Sequence, residues 1–289
     1  MNAFLKAIRN LSSAKPNRQF ISSFRALKRQ YPSGEDPWGL DLGLFRKVFV
    51  KLWPFYQHYF RVRIFGGENV PKTGSFVAVG NHSGQIALDG ALVIAAFFTD
   101  IPNPRILRPM VERFVYKTPF LGSWVASLGG VLGDRRNCQS LLNQNEAVLV
   151  FPEGVRGIAK NTAEHYQLQS FTLGFYRMAL ESGAPILPIA VVGAEEFYPY
   201  VFQARGVARK LGLPALPITP NLVPLPSPVD IHIGELIHLP KNISKDASDP
   251  IIREQVEKIQ AQIQKMVDDG LKKRRPFITA KTTRSNATS

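Results

Sequence analysis

The chain has 289 residues, 45% of them apolar, enough to fill one large α/β domain or two small ones, so a wholly disordered chain is not expected. Its single cysteine, Cys138, excludes an internal disulfide framework and a cysteine-based zinc cluster. The formal charge is +14, and most of it lies in two tails without acidic residues: seven basic residues in 1–30 and six in 271–289. This distribution argues against a uniformly basic surface that binds nucleic acid. It favours tails that contact an anionic surface.

Residues 1–30 are predicted to form two short basic amphipathic helices, one on each side of Pro16. Apolar residues recur at helical spacing between the basic ones: Phe4, Leu5, Ile8 and Leu11, then Phe20, Ile21, Phe24 and Leu27. Such helices suit a membrane interface, but they are equally compatible with packing on the domain. An organelle transit peptide is a further reading of this segment, whereas the lack of a continuous apolar stretch argues against a secretory signal.

The range Leu44–Phe60 is dense in aromatic residues and also contains Arg46, Lys47 and Lys51. Aromatic rings with one hydrated edge are enriched at the level of lipid head groups, so we expect interfacial membrane contact here. A core stripe is the ordinary alternative. No apolar run in the chain reaches the length of a spanning helix, which predicts peripheral or monotopic attachment.

The body of the chain reads as alternating strands and helices. This pattern predicts an α/β fold with a mixed, mostly parallel sheet flanked by helices. The Pro-rich range Leu213–Pro228 is predicted to be an extended surface loop, and Ile251–Leu271 an apolar-striped helix. The predicted strands are 62–65, 75–80, 130–133, 147–151, 186–192 and 229–233, and the earlier helices lie near 89–98, 109–116, 121–128, 137–143 and 171–182. The expected organisation is a membrane-interface segment at 1–60, a domain at 61–245, and a C-terminal helix and basic tail at 246–289.

The stretch Ser75–Asp89 holds the first candidate for chemistry. Its apolar strand stops at Gly80-Asn81, and His82 and Asp89 follow. An imidazole at a strand end, with a carboxylate holding its other ring nitrogen, can act as a general base. A lone histidine beside an apolar strand is more often structural, so this pair does not establish catalysis.

Three later stretches also lie at predicted strand ends, where α/β proteins place ligands. The first is Gly129–Arg136, the second reads FPEGVRG over residues 151–157, and the third is Ala184–Glu196. A Pro-Glu-Gly turn after an apolar strand projects a carboxylate and an arginine from one tight loop. Such a loop can hold a polyol by its hydroxyls and a phosphate by its guanidinium.

In this order the four stretches resemble the glycerolipid acyltransferase family, the lysophosphatidic acid and lysophospholipid acyltransferases, over roughly residues 60–200. The family has an NH-x(4)-D block, a block ending in aspartate-arginine or similar, an FPEGTRS block and a VPV-like block. Here Phe151–Gly154, Arg156, Pro185 and Pro188 match the last two blocks. The chain departs from the pattern in two places: six residues lie between His82 and Asp89, and Val155 and Gly157 replace hydroxyl residues.

The resemblance implies acyl transfer from acyl-CoA or acyl carrier protein to a hydroxyl of a lysophospholipid or related glycerolipid, as in a 1-acylglycerol-3-phosphate acyltransferase of phospholipid biosynthesis. It implies His82 as general base and Asp89 as the group that fixes its tautomer, with no metal and no cofactor beyond the thioester co-substrate. Backbone amides at Ser83 or Gly84 are candidates for stabilising the oxyanion. The acceptor would be bound by Arg135, Glu153, Gly154 and Arg156.

Two alternatives remain open: an acylglycerol or other lipid ester synthase of the same fold, and a non-catalytic peripheral membrane protein. The expected location is the cytoplasmic face of a membrane, with organelle targeting as an option, and no nucleic-acid partner is expected. A serine hydrolase lacks its G-x-S-x-G signature, and neither a Walker A nor a G-x-G-x-x-G motif is present. The other histidines are scattered and are interpreted as structural or surface residues: His58, His165, His232 and His238.

Overall fold

The computed structural model describes residues 16–83, 87–204, 206–207, 217–221 and 223–275. Its strands, in chain order, are β1 Arg63–Phe65, β2 Phe76–Gly80, β3 Leu107–Val111, β4 Val131–Leu132, β5 Ala147–Val150, β6 Ile186–Val192, β7 Phe202–Gln203, β8 Pro217–Ile218 and β9 Asp230–Ile233. Seven of them form the main sheet, in the order β1-β9-β6-β2-β5-β3-β4, and β7 and β8 form a separate two-stranded ribbon. All neighbouring pairs of the main sheet are parallel except β6 and β9. The predicted α/β class with a mixed, mostly parallel sheet is therefore confirmed.

Helices cover both faces of the sheet, as the alternating sequence predicts. They are α1 Arg18–Gln30, α2 Leu42–Pro54, α3 Leu88–Thr99, α4 Arg113–Lys117, α5 Leu121–Ser127, α6 Arg135–Asn143, α7 Val155–Ile158, α8 Gly174–Ser182 and α9 Asp249–Lys272. A single π-helical turn, Phe55–Tyr59, extends α2.

The hydrophobic core has two parts because alternate residues of each strand face opposite sides of the sheet. Phe76 and Ala78 of β2 face a cluster that includes α1, α2 and α3. Val77 and Val79 face a second cluster built with α6, α8 and α9. Strand β2 is buried along its whole length, so its carboxyl end is a rigid base for the residues that follow.

The N-terminal aromatic side chains are buried in the first cluster. Phe20 of α1 meets Trp53 of α2 edge to face, with ring centroids 5.4 Å apart, and meets Phe98 of α3 at 5.1 Å. Phe45 and Phe49 of α2 also contact Phe98. The prediction that the aromatic stripe of 44–60 contacts a membrane is wrong for these rings, because they form the core that joins α1 and α2 to the domain. Of the aromatic residues in that stripe, Phe55 is exposed.

Three other expectations differ from the structure. Residues 107–111 form strand β3, and α4 begins only at Arg113, so the helix predicted near 109–116 is shorter than expected. Within the predicted Pro-rich loop, Pro217–Ile218 pairs with Phe202–Gln203. The basic C-terminal tail is partly tied to the domain, since Arg274 pairs with Glu196 and Arg275 pairs with Asp230.

Within the residues described, no helix combines the length and the apolar character needed to cross a bilayer. The first predicted N-terminal helix and the last residues of the C-terminal tail lie outside the described ranges.

Candidate functional site

The turn after β2 is fixed by the side chain of Asn81. Its Nδ2 donates to the carbonyl of Val191 at 3.0 Å, and its Oδ1 accepts from the amide of the same residue at 2.7 Å. Asn81 is buried, so these two bonds satisfy its polar groups and clamp the end of β2 to β6. The residue that follows is therefore held in a defined position.

His82 and Asp89 are brought together at this turn. Nδ1 of His82 lies 2.8 Å from Oδ2 of Asp89, and the same oxygen accepts from the amide of Ser83 at 2.8 Å. A carboxylate only accepts, so Nδ1 carries the proton and Nε2 is the nitrogen left for a substrate. Asp89 lies in the first turn of α3, where the helix dipole favours a negative charge.

The surroundings of His82 favour its protonated form. Burial by itself lowers the pKa of the imidazole, but the charge and hydrogen bond of Asp89, aided by Glu153, outweigh it and the pKa lies above its ordinary value. The ring stacks on Phe151, with centroids 4.4 Å apart. The side chain is 12% exposed, so part of it remains accessible.

Glu153 is buried next to His82 and holds its backbone by a hydrogen bond. It is 1% exposed, and its Oε1 accepts from the backbone amide of His82 at 2.9 Å. Its Oε2 accepts from the amide of Gln169 at 2.7 Å and lies 3.0 Å from Nζ of Lys160. Both oxygens thus accept from protein donors and the side chain is buried, which favours a role in positioning the loop over the predicted contact with the acceptor hydroxyls.

Lys160 and Glu195 complete a buried charge cluster that local sequence patterns did not reveal. Nζ of Lys160 lies 3.1 Å from Oε1 of Glu195, and Glu195 also accepts from the amide of Tyr166. Two carboxylates, Glu153 and Glu195, thus share one ammonium group. Burial raises the pKa of Glu195 to about 7, with Lys160 opposing the rise. Burial lowers the pKa of Lys160, but the two carboxylates more than compensate and raise it.

The remaining predicted acceptor-binding residues occupy different places. Gly154 has a φ of 57°, a left-handed value that glycine adopts readily, and it turns the chain into α7. Arg156 is exposed on α7, and its Nη2 donates to the carbonyl of Ser170 at 2.7 Å. Arg135 is also exposed, but its Nε donates to Glu181 of α8 at 2.8 Å. Arg156 is therefore held to the segment just before α8, and Arg135 is tied to α8 itself.

The backbone amide of Ser83, one of the two predicted oxyanion donors, donates to Asp89 instead. Gly84 lies outside the described residues. Among the residues that the structure describes, no group of three histidine, cysteine, aspartate or glutamate side chains is arranged to hold a metal ion.

A cavity of about 740 Å³ opens elsewhere, lined in part by Arg29, Gly74, Arg105 and Asn145. Gly74 and Asn145 precede β2 and β5, so this cavity lies at the amino edge of the sheet, opposite His82. The guanidinium of Arg105 is already taken up by the carbonyls of Gly74 and Asn145.

Comparison with known proteins matches residues 61–192 to the family described as Acyltransferase. An uncharacterised protein of Mycobacterium tuberculosis is 34% identical over 257 residues, covering 83% of this chain and 72% of its own length. A 1-acyl-sn-glycerol-3-phosphate acyltransferase of Borreliella burgdorferi is 24% identical over 148 residues, covering 48% of this chain and 54% of its own length. A crystal structure of the 1-acyl-sn-glycerophosphate acyltransferase of Thermotoga maritima is 20% identical, with a TM-score of 0.49, and covers 78% of this chain and 77% of that chain.

Proposed function

Because this chain belongs to the glycerolipid acyltransferase family, we propose that it transfers a fatty acyl group from a thioester donor to a hydroxyl of a lysophospholipid, with His82 as general base. The donor is acyl-CoA or acyl carrier protein, and the acceptor resembles 1-acylglycerol 3-phosphate. This assigns the enzyme to phospholipid biosynthesis at the cytoplasmic face of a membrane.

The observation that carries the proposal is the contact between His82 and Asp89 at the carboxyl edge of the sheet. Nε2 of His82 takes the proton of the acceptor hydroxyl while the hydroxyl oxygen attacks the thioester carbonyl carbon. The tetrahedral adduct then expels the thiolate, which recovers the proton from the imidazolium. The products are the ester and the free thiol, and no acyl-enzyme forms.

Asp89 and Glu153 have separate roles in this scheme. Asp89 stabilises the imidazolium during proton transfer, and Glu153 holds the backbone of His82 in place. Arg156 is the group proposed to contact the acceptor's phosphate, since a guanidinium can bind phosphate with two parallel hydrogen bonds. Gly154 gives the loop the turn that brings Arg156 to the surface.

The test is an acyl-transfer assay on the purified full chain with lysophosphatidic acid and labelled acyl-CoA or acyl carrier protein. Labelled phosphatidic acid is expected, and His82→Ala is expected to abolish its formation. The matched control is His58→Ala, an exposed histidine in the turn after α2. Activity that survives in His82→Ala would refute the mechanism.

The two alternatives are tested in the same assay. A monoacylglycerol acceptor used in preference to lysophosphatidic acid would identify an acylglycerol synthase instead. If neither acceptor nor any of a wider panel of lysolipids is acylated, the result favours the second alternative, a non-catalytic peripheral membrane protein.

A further inference from the structure

Two groups of exposed apolar side chains lie close in sequence to strands that end beside His82. The first, the hairpin patch, is on the α4–α5 hairpin. Phe120 at its tip is 92% exposed, and its neighbours are also partly exposed: Phe114, Leu121 and Trp124. Phe120 adopts a φ of 64°, a left-handed conformation that is strained for an aromatic residue and is concentrated at functional positions.

The second group, the ribbon patch, surrounds the β7–β8 ribbon. Phe202 of β7 is 67% exposed, and Ile218 of β8 lies opposite it in the ribbon. Tyr200 and Val223 extend the patch on either side, each with more than half of its surface exposed.

The sheet topology sets these patches on opposite sides of the site. Strands β6, β2, β5 and β3 are adjacent and parallel, in that order, so their carboxyl ends share one edge. His82 and Glu153 follow the two middle strands. The hairpin follows β3, and the segment leading to the ribbon follows β6.

The bases of both patches lie near residues of the site. A Cβ atom at Gly154 would lie 3.5 Å from Oε1 of Glu112, the residue directly before α4. The amide of Val201, directly before β7, donates to Oγ1 of Thr162 at 2.9 Å, and Thr162 follows α7 and Lys160 closely in the chain.

The charge next to the hairpin patch indicates what would cover it. Arg113 and Lys117 of α4 are exposed and lie close to Phe114 and Phe120 in the chain, and one exposed acid, Glu112, precedes them. Aromatic rings that enter the acyl boundary while cations meet head groups are typical of surfaces that bind anionic bilayers. A basic rim of this kind is not expected to pair with a second copy of itself, since like charges would then face each other.

We propose that the hairpin patch and the ribbon patch together form a docking face for an anionic phospholipid bilayer. Docking would turn the carboxyl edge of the sheet, and with it His82, toward the membrane, so that a lysolipid reaches the site from the bilayer. This inference rests on the proposed function for its substrate. It replaces the aromatic stripe of 44–60 as the apolar contact with the membrane, because five rings of that stripe are buried: Phe45, Phe49, Trp53, Tyr56 and Phe60.

The test is cosedimentation of the full chain with phosphatidylcholine vesicles prepared with and without phosphatidylglycerol. We expect binding that depends on phosphatidylglycerol and that falls at least about tenfold in Phe120→Asn/Trp124→Gln and in Phe202→Ser, because apolar surface that would be buried in lipid is lost. Asparagine tolerates the left-handed backbone at residue 120, so the first variant is expected to fold. Its thermal unfolding is measured alongside.

Two matched variants remove exposed apolar side chains elsewhere. Ile251→Asn lies on α9, and Phe55→Asn lies in the earlier aromatic stripe. Both are expected to bind vesicles like the natural chain. The His82→Ala chain is also expected to bind, which separates docking from turnover, so a failure of the proposed function would not be mistaken for a failure of docking.

Several results would overturn the inference. Unchanged vesicle binding in either patch variant is one, and an equal loss in Ile251→Asn or Phe55→Asn is another. A self-associated state in size-exclusion chromatography that disappears in Phe120→Asn/Trp124→Gln would show that the face is an interface between copies.

Discussion

A Cβ atom on Gly157 would lie 2.8 Å from the Cβ atom of His82. The same atom would lie 3.0 Å from Cβ of Glu153. The absence of a side chain at Gly157 therefore lets α7 pack directly against the side chains of His82 and Glu153. The hydroxyl residue that the family pattern has at this position would not fit here without movement of His82.

Gly157→Ala is expected to lower kcat roughly 10- to 100-fold, because a small displacement of a reacting group costs this much. The assay is run well below the unfolding temperature, so that loss of folded protein does not account for the effect. Gly174→Ala is the matched control, since a Cβ there has no atom within 4 Å and alanine suits a helix better than glycine. Full activity in Gly157→Ala would show that His82 is not held as described.

Asp89→Asn is expected to lower kcat/KM roughly 10²–10⁴-fold and to shift its pH profile. His82 must be neutral to act as a base, so activity rises with pH through the pKa of His82. Asp89 keeps that pKa above its ordinary value against the effect of burial; without the negative charge the pKa falls, and the rising limb moves to lower pH. Asp134→Asn, which changes the N-cap of α6, is expected to leave the limb in place. If the rising limb of the pH profile stays in place in Asp89→Asn, the result contradicts the assignment of Asp89 as the group that raises the pKa of His82.

Arg156→Gln is expected to raise KM for a phosphate-bearing acceptor by roughly 10- to 100-fold, the equivalent of one charge-assisted hydrogen bond. KM for a monoacylglycerol should change little, because that acceptor has no phosphate. Arg135→Gln is expected to leave both values unchanged, since Arg135 is tied to Glu181. Steady-state kinetics with the two acceptors measures the difference, and an effect of Arg135→Gln equal to that of Arg156→Gln would be inconsistent with this placement.

Glu195→Gln is expected to change how stability depends on pH. Burial raises the pKa of Glu195 from 4.5 to about 7, so the fold favours its protonated form. The contribution of the protonated Glu195 side chain to the free energy of unfolding is fully present below pH 4.5 and is lost as pH rises through about 7. A glutamine side chain at this position cannot ionise, so the variant should gain free energy of unfolding relative to the natural chain across this window.

Urea unfolding at several pH values measures this gain. Glu196→Gln is the neighbouring control. Burial by itself raises the pKa of Glu196, but the hydrogen bond and charge of Arg274 outweigh burial and lower it. The ionised Glu196 side chain therefore stabilises the fold, and this stabilisation is lost only as pH falls. This variant should be less stable than the natural chain throughout the window. A pH-independent difference for Glu195→Gln would disprove the shift.

The strand-and-helix alternation is predictable from sequence because strands β2, β5 and β6 are short, buried apolar runs. Strand β3 was missed because Arg108 and Pro109 interrupt it. Arg108 is nonetheless fully buried, since its guanidinium pairs with Asp36, a partner 72 residues away that no local pattern shows.

The same limit applies to the aromatic residues of α2. A helix with one apolar face has the same sequence pattern whether that face meets lipid or α3, and only the fold distinguishes the two. At the candidate site, the sequence predicted that Asp89 would hold a ring nitrogen of His82, and the structure places the two groups 2.8 Å apart. The sequence did not show that Glu153 faces inward, because its partner Lys160 belongs to no recognisable motif.

The spacing between His82 and Asp89 has a consequence for how variable this turn can be. Closing a loop of six residues instead of four costs only about 0.4 kcal/mol in chain entropy, since the cost grows with the logarithm of length. A hydrogen bond to a charged group contributes about 1.5–3 kcal/mol, which exceeds that cost. Evolution can therefore lengthen this connection without losing the pair, and a search for relatives should let the number of residues between the histidine and the aspartate vary.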